Sequence, residues 1–578
     1  MKKHIIKLSL SIFAFGITNL IYAQDIDEDV LNWYNGKGAG MQTEKAYKKL
    51  KKRETKTVIV AIIDSGIDIE HEDLKGKIWT NTKEIPGNGI DDDDNGYIDD
   101  IHGWNFLGNA SGENAGAMQL ERTRLLAKLG KKYDGVDGST VAASDKAEFE
   151  QYEKMAAELA EEVTNYSRAV MYFGMVNGMI DNMPEMMNEV MGKTDATAAE
   201  VEAKMEALEK EAIVLDEEYH KNEDPAVLEK LEKASDDYDN LEFVLSVLTG
   251  ETSHEQMNEL TEMYQGMIDT HHNVDFDGRA VIGDDPDDFT DVNYGNNDVE
   301  GPDALHGTHV GGIVCAVRGN GLGGDGVATD ALLMVLRAVP DGDEYDKDIA
   351  LAIRYAVDNG ASIINMSFGK SYSPHQKEVH EAFAYADSKG VLCIHAAGND
   401  ASDVDVTPNF PTSMYSFQTK KLDHFLTIGS STKDLTKKKM MPAPKEKDPE
   451  ATKEMKVGTL VSGFSNYGQT SVDVFAPGSE IYNSVPQSEY QVLQGTSMAC
   501  PMVAGVAAML KSYFPELSMK EIKGAILSSA TSYAGTMELM PGSREEQVDF
   551  AKLSVTGGVV NVYAAAKECL RIEKSKKK

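Results

Sequence analysis

The residues TVIVAII at 57–63 form an uninterrupted apolar run rich in β-branched side chains, and the run ends at Asp64. It predicts a strand covered on both faces, because a strand with one wet face alternates apolar and polar residues. Three further apolar runs lie at 361–369, 391–399 and 424–430, and helical patterns separate them. Strands alternating with helices predict an α/β fold with a mostly parallel central sheet. Ligands of such folds bind at the carboxyl ends of the strands.

Residues 108–272 have a different pattern, which is acidic, rich in methionine and apolar at every third or fourth position. Steps of 4 and 3 within 201–219 and 227–248 predict two long helices packed antiparallel, and a similar pattern at 152–173 predicts another. We therefore predict a large all-helical insertion. Methionine at every fourth position from 171 to 191 favours core packing, with a soft, adaptable binding face as the alternative.

The charge balance restricts the partners of this chain. It has 57 Lys and Arg against 95 Asp and Glu, a net charge of −38. Nucleic acid and anionic membranes would be repelled by such a surface, so we predict neither as a partner. The excess of carboxylates is compatible with calcium binding.

The first residues have the pattern of a targeting segment. Lys2, Lys3 and Lys7 precede an apolar stretch at 8–22, and Ala23 follows it. This predicts a secretory signal peptide at 1–23, with a membrane anchor as the alternative. We expect an exported protein, periplasmic or extracellular, that is not inserted in the membrane after signal cleavage. The cysteines lie in apolar or helical contexts without CxxC spacing and are interpreted as isolated thiols, although pairing stays open.

Three short motifs place reactive side chains beside strand ends or helix starts: DSGID with Asp64, HGTHVGG with His306, and GTSMACP with Ser497. A serine hydroxyl is a poor nucleophile unless a base accepts its proton and an anion orients that base. His306 and Asp64 are the residue types for these two roles. Asn399, at the end of the run 391–399, is placed to donate a hydrogen bond to an oxyanion.

The order Asp, His, Ser along the chain is one of several in which such triads occur on unrelated folds. Together with NMSFG, AAGN, FSNYG and VDVFAPG, the motifs resemble those of the subtilisin-like serine peptidases, the subtilases, over 57–107 and 273–565. The resemblance implies a subtilisin-like three-layer α/β fold and a serine endopeptidase that hydrolyses protein or peptide substrates through an acyl-enzyme. By motif, Asp64, His306 and Ser497 would form the triad, and Asn399 would assist the oxyanion. The implied substrate-binding residues are Ser367, Phe368, Gly369, Ala397 and Gly398.

The chain also departs from the family pattern. Asp64 and His306 are 242 positions apart, so the helical insertion lies between them. We predict catalytic parts at 57–107 and 273–570, the insertion at 108–272 and a basic tail at 571–578. The N-terminal segment 24–56 is too short for the folded inhibitory pro-domain common in secreted subtilases. We hypothesise that this segment or the insertion restrains activity during export.

The loop GNGIDDDDNGYIDD predicts a calcium site. Asp91, Asp93, Asn95 and Asp99 have the alternating spacing of an EF-hand-like loop, with Gly96 at the sharp turn. His102 occupies the position where an EF-hand has its bidentate Glu, so an ordinary EF-hand is not predicted. The alternative is a solvated acidic turn.

Two other functions compete with peptide hydrolysis. The same acyl-enzyme would permit a peptide ligase or cyclase, and product masses with added amine nucleophiles would distinguish it. A non-catalytic calcium-dependent binding protein would need none of Asp64, His306, Ser497 or Asn399. Labelling of Ser497 by a serine-directed probe would exclude that class.

Overall fold

The computed structural model describes residues 30–435, 438–440 and 455–577. The predicted signal peptide at 1–23 lies outside these residues. The described chain divides into two compact units, one of residues 30–121 with 277–577 and one of residues 122–276. The predicted boundaries at 107 and 273 stay predictions. Within the described ranges, no helix combines the length and the apolar character needed to span a bilayer.

The strands of the first unit are short and in part widely separated in sequence. They are β1 (Val58–Asp64), β2 (Gly103–Asn105), β3 (Ala331–Arg337), β4 (Ile363–Met366), β5 (Leu392–Ala396), β6 (Phe425–Ser431), β7 (Lys438–Met440), β8 (Met455–Val457), β9 (Val474–Pro477), β10 (Ile481–Val485), β11 (Glu489–Leu493), β12 (Thr531–Ser532), β13 (Met537–Leu539), β14 (Gln547–Asp549) and β15 (Gly558–Val559). The four apolar runs contain β1, β4, β5 and β6.

Nine strands of the described chain form one sheet in the order β12, β15, β9, β6, β5, β4, β1, β3, β2. Its neighbouring strands are parallel except β12 and β15. The pairs β10 with β11, β13 with β14 and β7 with β8 form separate antiparallel hairpins. The predicted α/β class with a mostly parallel central sheet is confirmed.

Helices of the first unit cover both faces of this sheet. The helices of the described chain are α1 (Thr43–Leu50), α2 (Glu121–Tyr133), α3 (Lys146–Asp181), α4 (Met183–Met191), α5 (Ala198–Asn222), α6 (Pro225–Leu248), α7 (His254–Asp269), α8 (Leu305–Cys315), α9 (Asp346–Asp358), α10 (Gln376–Lys389), α11 (Thr496–Tyr513), α12 (Met519–Ser528) and α13 (Val562–Lys576). All of α2 but its first residue belongs to the second unit, with α3 to α7. Val60 and Ile62 of β1 pack in a core with α8, α11, α12 and α13. Ala61 and Ile63 pack in a second core with α9 and α10. Alternate side chains of one strand thus enter opposite cores, which gives three layers.

Residues 30–56 pack as part of the first unit. Tyr34 is fully buried and its hydroxyl donates to the carbonyl of Asp325 at 3.0 Å. Leu50 of α1 lies in the same core as Val60. Arg53 forms a salt bridge with Glu573 of α13 at 2.7 Å. These contacts tie residues 30–56 to the core and to α13 of the first unit.

In the second unit, α5 and α6 form the predicted antiparallel hairpin. Asp224 caps α6 and Pro225 occupies its first turn, where its missing N–H costs nothing. Met187 is buried in the core that α4, α5 and α6 share. Met171 and Met175 of α3 are 66% and 56% exposed, so the methionines do not form one buried stripe.

Candidate functional site

The register of three parallel strands brings several predicted site residues to one rim of the sheet. Ile63 of β1 pairs with Met366 of β4, and Met366 pairs with His395 of β5. Asp64 and Ser367 directly follow the paired Ile63 and Met366. Because the strands are parallel, their carboxyl ends open on the same side.

Asp64 and His306 form a direct pair. The Nδ1 atom of His306 lies 2.6 Å from Oδ1 of Asp64, which also accepts the Ser65 N–H at 2.8 Å. The Asp64 side chain is 2% exposed and that of His306 is 37% exposed. The start of α8 lies very close to the backbone that follows β1. Only glycine fits at position 307, because a Cβ there would lie 2.0 Å from the carbonyl oxygen of Gly66. His306, the second residue of α8, thereby reaches the carboxylate at the end of β1.

Ser497 lies in the first turn of α11, after Gly495 with φ of +154°. Its Oγ donates to the carbonyl of Ser367 at 3.0 Å, and Ser367 Oγ donates to the Ser497 carbonyl at 2.9 Å. Among the described residues, no hydrogen bond joins Ser497 to His306. The helix α11 packs against both α8 and β1, which carry His306 and Asp64. For the imidazole to accept its proton, the Ser497 hydroxyl would have to leave the Ser367 carbonyl.

Asn399 is oriented by Thr496. Its Oδ1 accepts the Thr496 backbone N–H at 2.8 Å and the Thr496 hydroxyl at 3.0 Å. The same hydroxyl accepts the Gly398 N–H at 3.1 Å. Since both bonds use Oδ1, the Nδ2 donors of Asn399 have no acceptor among the residues described. They remain available at the start of α11, where the helix dipole favours negative charge.

The predicted substrate-binding residues lie in two segments that follow β4 and β5. Gly369 is exposed, Phe368 and Gly398 are half-buried, and Ser367 and Ala397 are buried. Asn409 lies between the segments: a Cβ on Gly369 would be 2.5 Å from Asn409 Nδ2, and one on Gly398 would be 3.1 Å from it. Asn409 is a residue that the sequence analysis missed, because its own segment has no distinctive motif.

The acidic loop brings together only two of its four predicted calcium ligands. Carboxylate oxygens of Asp91 and Asp93 lie within 4.8 Å of each other and of Glu84, which the sequence analysis missed. The Asp99 carboxylate instead accepts the N–H groups of residues 87, 88 and 89. Asn95 donates to Asp100 and accepts the Tyr97 N–H. Asp99 and Asn95 thus support the backbone of the loop, and Asp91 does so too, because it accepts the N–H groups of Asn95 and Gly96.

The cluster of Glu84, Asp91 and Asp93 contains carboxylate oxygens that are free to bind a cation. Oε2 of Glu84 and Oδ1 of Asp93 are buried and have no hydrogen-bond partner among the described residues. Glu84 is only 6% exposed, and its burial and the charge of Asp100 raise its pKa. Asp93 also forms a salt bridge with Lys83 at 3.2 Å through its other oxygen. Unpartnered carboxylate oxygens are the ligands that calcium prefers, so these residues fit that ion.

The family model and the relatives of known name agree with one another. The model of the subtilase family matches residues 55–544. A thermophilic serine proteinase of Bacillus sp. (strain AK1) is 33% identical over 48% of this chain and 57% of its own length. Thermitase of Thermoactinomyces vulgaris is 34% identical over 40% of this chain and 69% of its own length. The chain thus spans little more than half of the first relative.

One solved structure is similar to part of this chain. A chain from the solved subtilase cytotoxin SubAB assembly is 22% identical over 48% of this chain and 80% of its own length. The TM-score is 0.36, and this likeness adds nothing on function.

The environment of His306 sets its protonation. Desolvation lowers its pKa, but the charge and hydrogen bond of Asp64, followed by the charge of Asp303, raise it. The net result is a pKa above the ordinary 6.5. The imidazole therefore takes up a proton at a higher pH than a free histidine does.

This balance predicts the effect of Asp64→Asn on the titration of His306. Without the Asp64 carboxylate, only the charge of Asp303 opposes the lowering of the pKa by desolvation. We therefore expect the pKa of His306 to fall below 6.5. The measurement is a histidine NMR titration of the folded protein. Asp303→Asn is the matched control and should lower the pKa by less. An unchanged pKa in Asp64→Asn would contradict the pairing.

Proposed function

Because the chain belongs to the subtilase family, we propose that it is an exported serine endopeptidase that hydrolyses peptide bonds through Asp64, His306 and Ser497. The observation that carries the proposal is the 2.6 Å contact of His306 Nδ1 with Asp64, on elements that pack against α11, whose first turn contains Ser497. With Nδ1 engaged, the imidazole presents Nε2 as the proton acceptor.

In this mechanism Ser497 Oγ attacks the substrate carbonyl while His306 accepts its proton. Asp64 keeps the imidazole in one tautomer and stabilises the imidazolium that forms. His306 then donates the proton to the leaving amine, which leaves an acyl group on Ser497. Water hydrolyses this ester with His306 acting again as the base.

The oxyanion of each tetrahedral intermediate would lie near Asn399. Its Nδ2 donors, the Ser497 backbone N–H and the positive end of α11 would stabilise the negative charge there. Thr496 supports this role because it binds Oδ1 and leaves Nδ2 to face the charge. These donors are held before the reaction, so little reorganisation is needed when charge develops.

Protein or peptide substrates would bind along Ser367, Phe368 and Gly369 as an extended strand. Ala397 and Gly398 would form the facing wall of the pocket. Main-chain pairing of this kind recognises the shape of the peptide, and the pockets add selectivity. The proposed location is the periplasm or the outside of the cell, which rests on the predicted signal peptide at 1–23.

We also propose that Glu84, Asp91 and Asp93 hold a structural calcium ion. Such an ion would neutralise carboxylates that otherwise repel one another and would stabilise the loop. This set differs from the predicted one of Asp91, Asp93, Asn95 and Asp99 by the inclusion of Glu84. The support is the pair of buried, unpartnered oxygens on Glu84 and Asp93.

The central test of the proposed function is Ser497→Ala. Removal of the nucleophile should lower kcat on a fluorogenic peptide by on the order of 10⁶. Ser529→Ala, at the end of α12, is the matched control and should leave kcat within about twofold. Activity that survives Ser497→Ala would end the proposal, and product masses dominated by amine adducts would favour the ligase.

A second prediction concerns Asn399→Ala. Loss of one oxyanion donor should lower kcat by about 10² to 10³ with little change in KM, because the donor acts mainly in the transition state. Steady-state kinetics on the same peptide give both constants. Asn359→Ala, at the end of α9, controls for the loss of a surface amide. A raised KM with unchanged kcat would assign Asn399 to ground-state binding instead.

Calcium binding predicts a stability effect. Calcium at about 100 times its Kd should stabilise the folded protein by ~2.7 kcal/mol and so raise Tm. Glu84→Gln should remove most of this rise, whereas Glu70→Gln, on an exposed side chain, should retain it. Calorimetry with calcium and with a chelator measures the difference. Equal rises in both variants would exclude the cluster.

A further inference from the structure

The backbone that follows β4 alternates its polar groups between two sides. Lys370 exchanges both backbone hydrogen bonds with Phe410, each at 2.9 Å, so its N–H and C=O face that neighbour. The Ser367 carbonyl accepts from Ser497 Oγ at 3.0 Å and so faces the nucleophile. In an extended chain, residues i and i+2 present their backbone groups on the same side. An extended course from the end of β4 to the bridge of Lys370 with Phe410 would place Gly369 on the side of Ser367 and Phe368 on the side of Lys370.

The carbonyl of Phe368 has a side-chain partner on that inner side. His395 Nε2 lies 2.7 Å from it, and a carbonyl only accepts, so Nε2–H is the donor. The residue is 1% exposed, at the position of β5 that pairs with Met366. Its ring packs edge-on to Phe368, with centroids 6.3 Å apart, and lies beside Phe425. Desolvation lowers the pKa of His395 to about 4, so the ring is a neutral donor near neutral pH.

We propose that His395 is a positioning residue for substrate: its bond to the Phe368 carbonyl holds Ser367 and Gly369 with their backbone groups turned outward to pair with an extended peptide. This inference rests on the proposed peptidase function. His395 touches no reacting atom and acts through the segment that it holds.

The two outward residues depend on this bond to different degrees. Ser367 directly follows β4 and is also held by two hydrogen bonds with Ser497. Gly369 has no hydrogen-bond partner among the described residues, so its orientation depends on the anchors at Phe368 and Lys370. Loss of the His395 donor should therefore mainly impair pairing at Gly369, which only a substrate of several residues reaches.

The test compares two substrates that have the same residue at the cleaved bond: a succinyl tetrapeptide anilide and an N-acetyl amino acid ester. His395→Phe keeps an aromatic ring but removes the donor. We expect the ratio of kcat/KM for the tetrapeptide to that for the ester to fall by roughly tenfold. His395→Gln, which can place an N–H near the position of Nε2, should restore most of the ratio.

Two controls keep the outcomes separate. His424→Phe removes a histidine hydrogen bond to Asp387 next to the amino end of β6, and it should leave the ratio unchanged. Calorimetry shows whether each variant is folded. If His395→Phe does not fold, the ratio of the two substrates is compared between His395→Gln and the unmodified chain. Equal losses on both substrates, or no rescue by Gln, would overturn the positioning role. No hydrolysis of either substrate by the unmodified chain would refute the proposed function instead.

Discussion

Parallel pairing of β1, β4 and β5 in one register is the constraint on which the candidate site depends. The pairs Ile63 with Met366 and Met366 with His395 align three strand ends from distant parts of the sequence. The side chain of Asp64 and the backbone of Ser367 then emerge at the same rim. Because side chains alternate along a strand, a shift of one residue in β1 would turn Asp64 to the other face of the sheet.

The candidate site also requires backbone segments to pack very close to one another at this rim. A Cβ at Gly307 would overlap the Gly66 carbonyl, and Gly66 itself has φ of +126° beside Glu300. At Gly495 the φ of +154° allows the chain to enter α11 directly before Ser497. These glycines let helices begin against strand ends. His306 and Ser497 thereby reach the sheet from α8 and α11.

Several polar groups at the rim have hydrogen-bond partners that fix their orientation. Asp64 holds His306, Thr496 holds Asn399, and His395 holds the Phe368 carbonyl. Lys370, the next anchor along the same segment, is buried and paired with Glu121 and Asp346 at 2.7 and 2.8 Å. Partners of this kind are costly to leave unsatisfied in a dry interior, so each restricts its neighbour to one arrangement.

The sequence by itself determined the features that depend on local chemistry. Continuous apolar runs indicated buried parallel strands, and the motifs around Asp64, His306, Ser497 and Asn399 identified the residues of the candidate site. The tertiary structure alone decided the features that depend on contacts between distant segments. Glu84 joins Asp91 and Asp93, Asp99 turns to backbone N–H groups, and His395 reaches Phe368. A strand pattern records burial every second residue, but it carries no information about which distant carbonyl or carboxylate will face a given side chain.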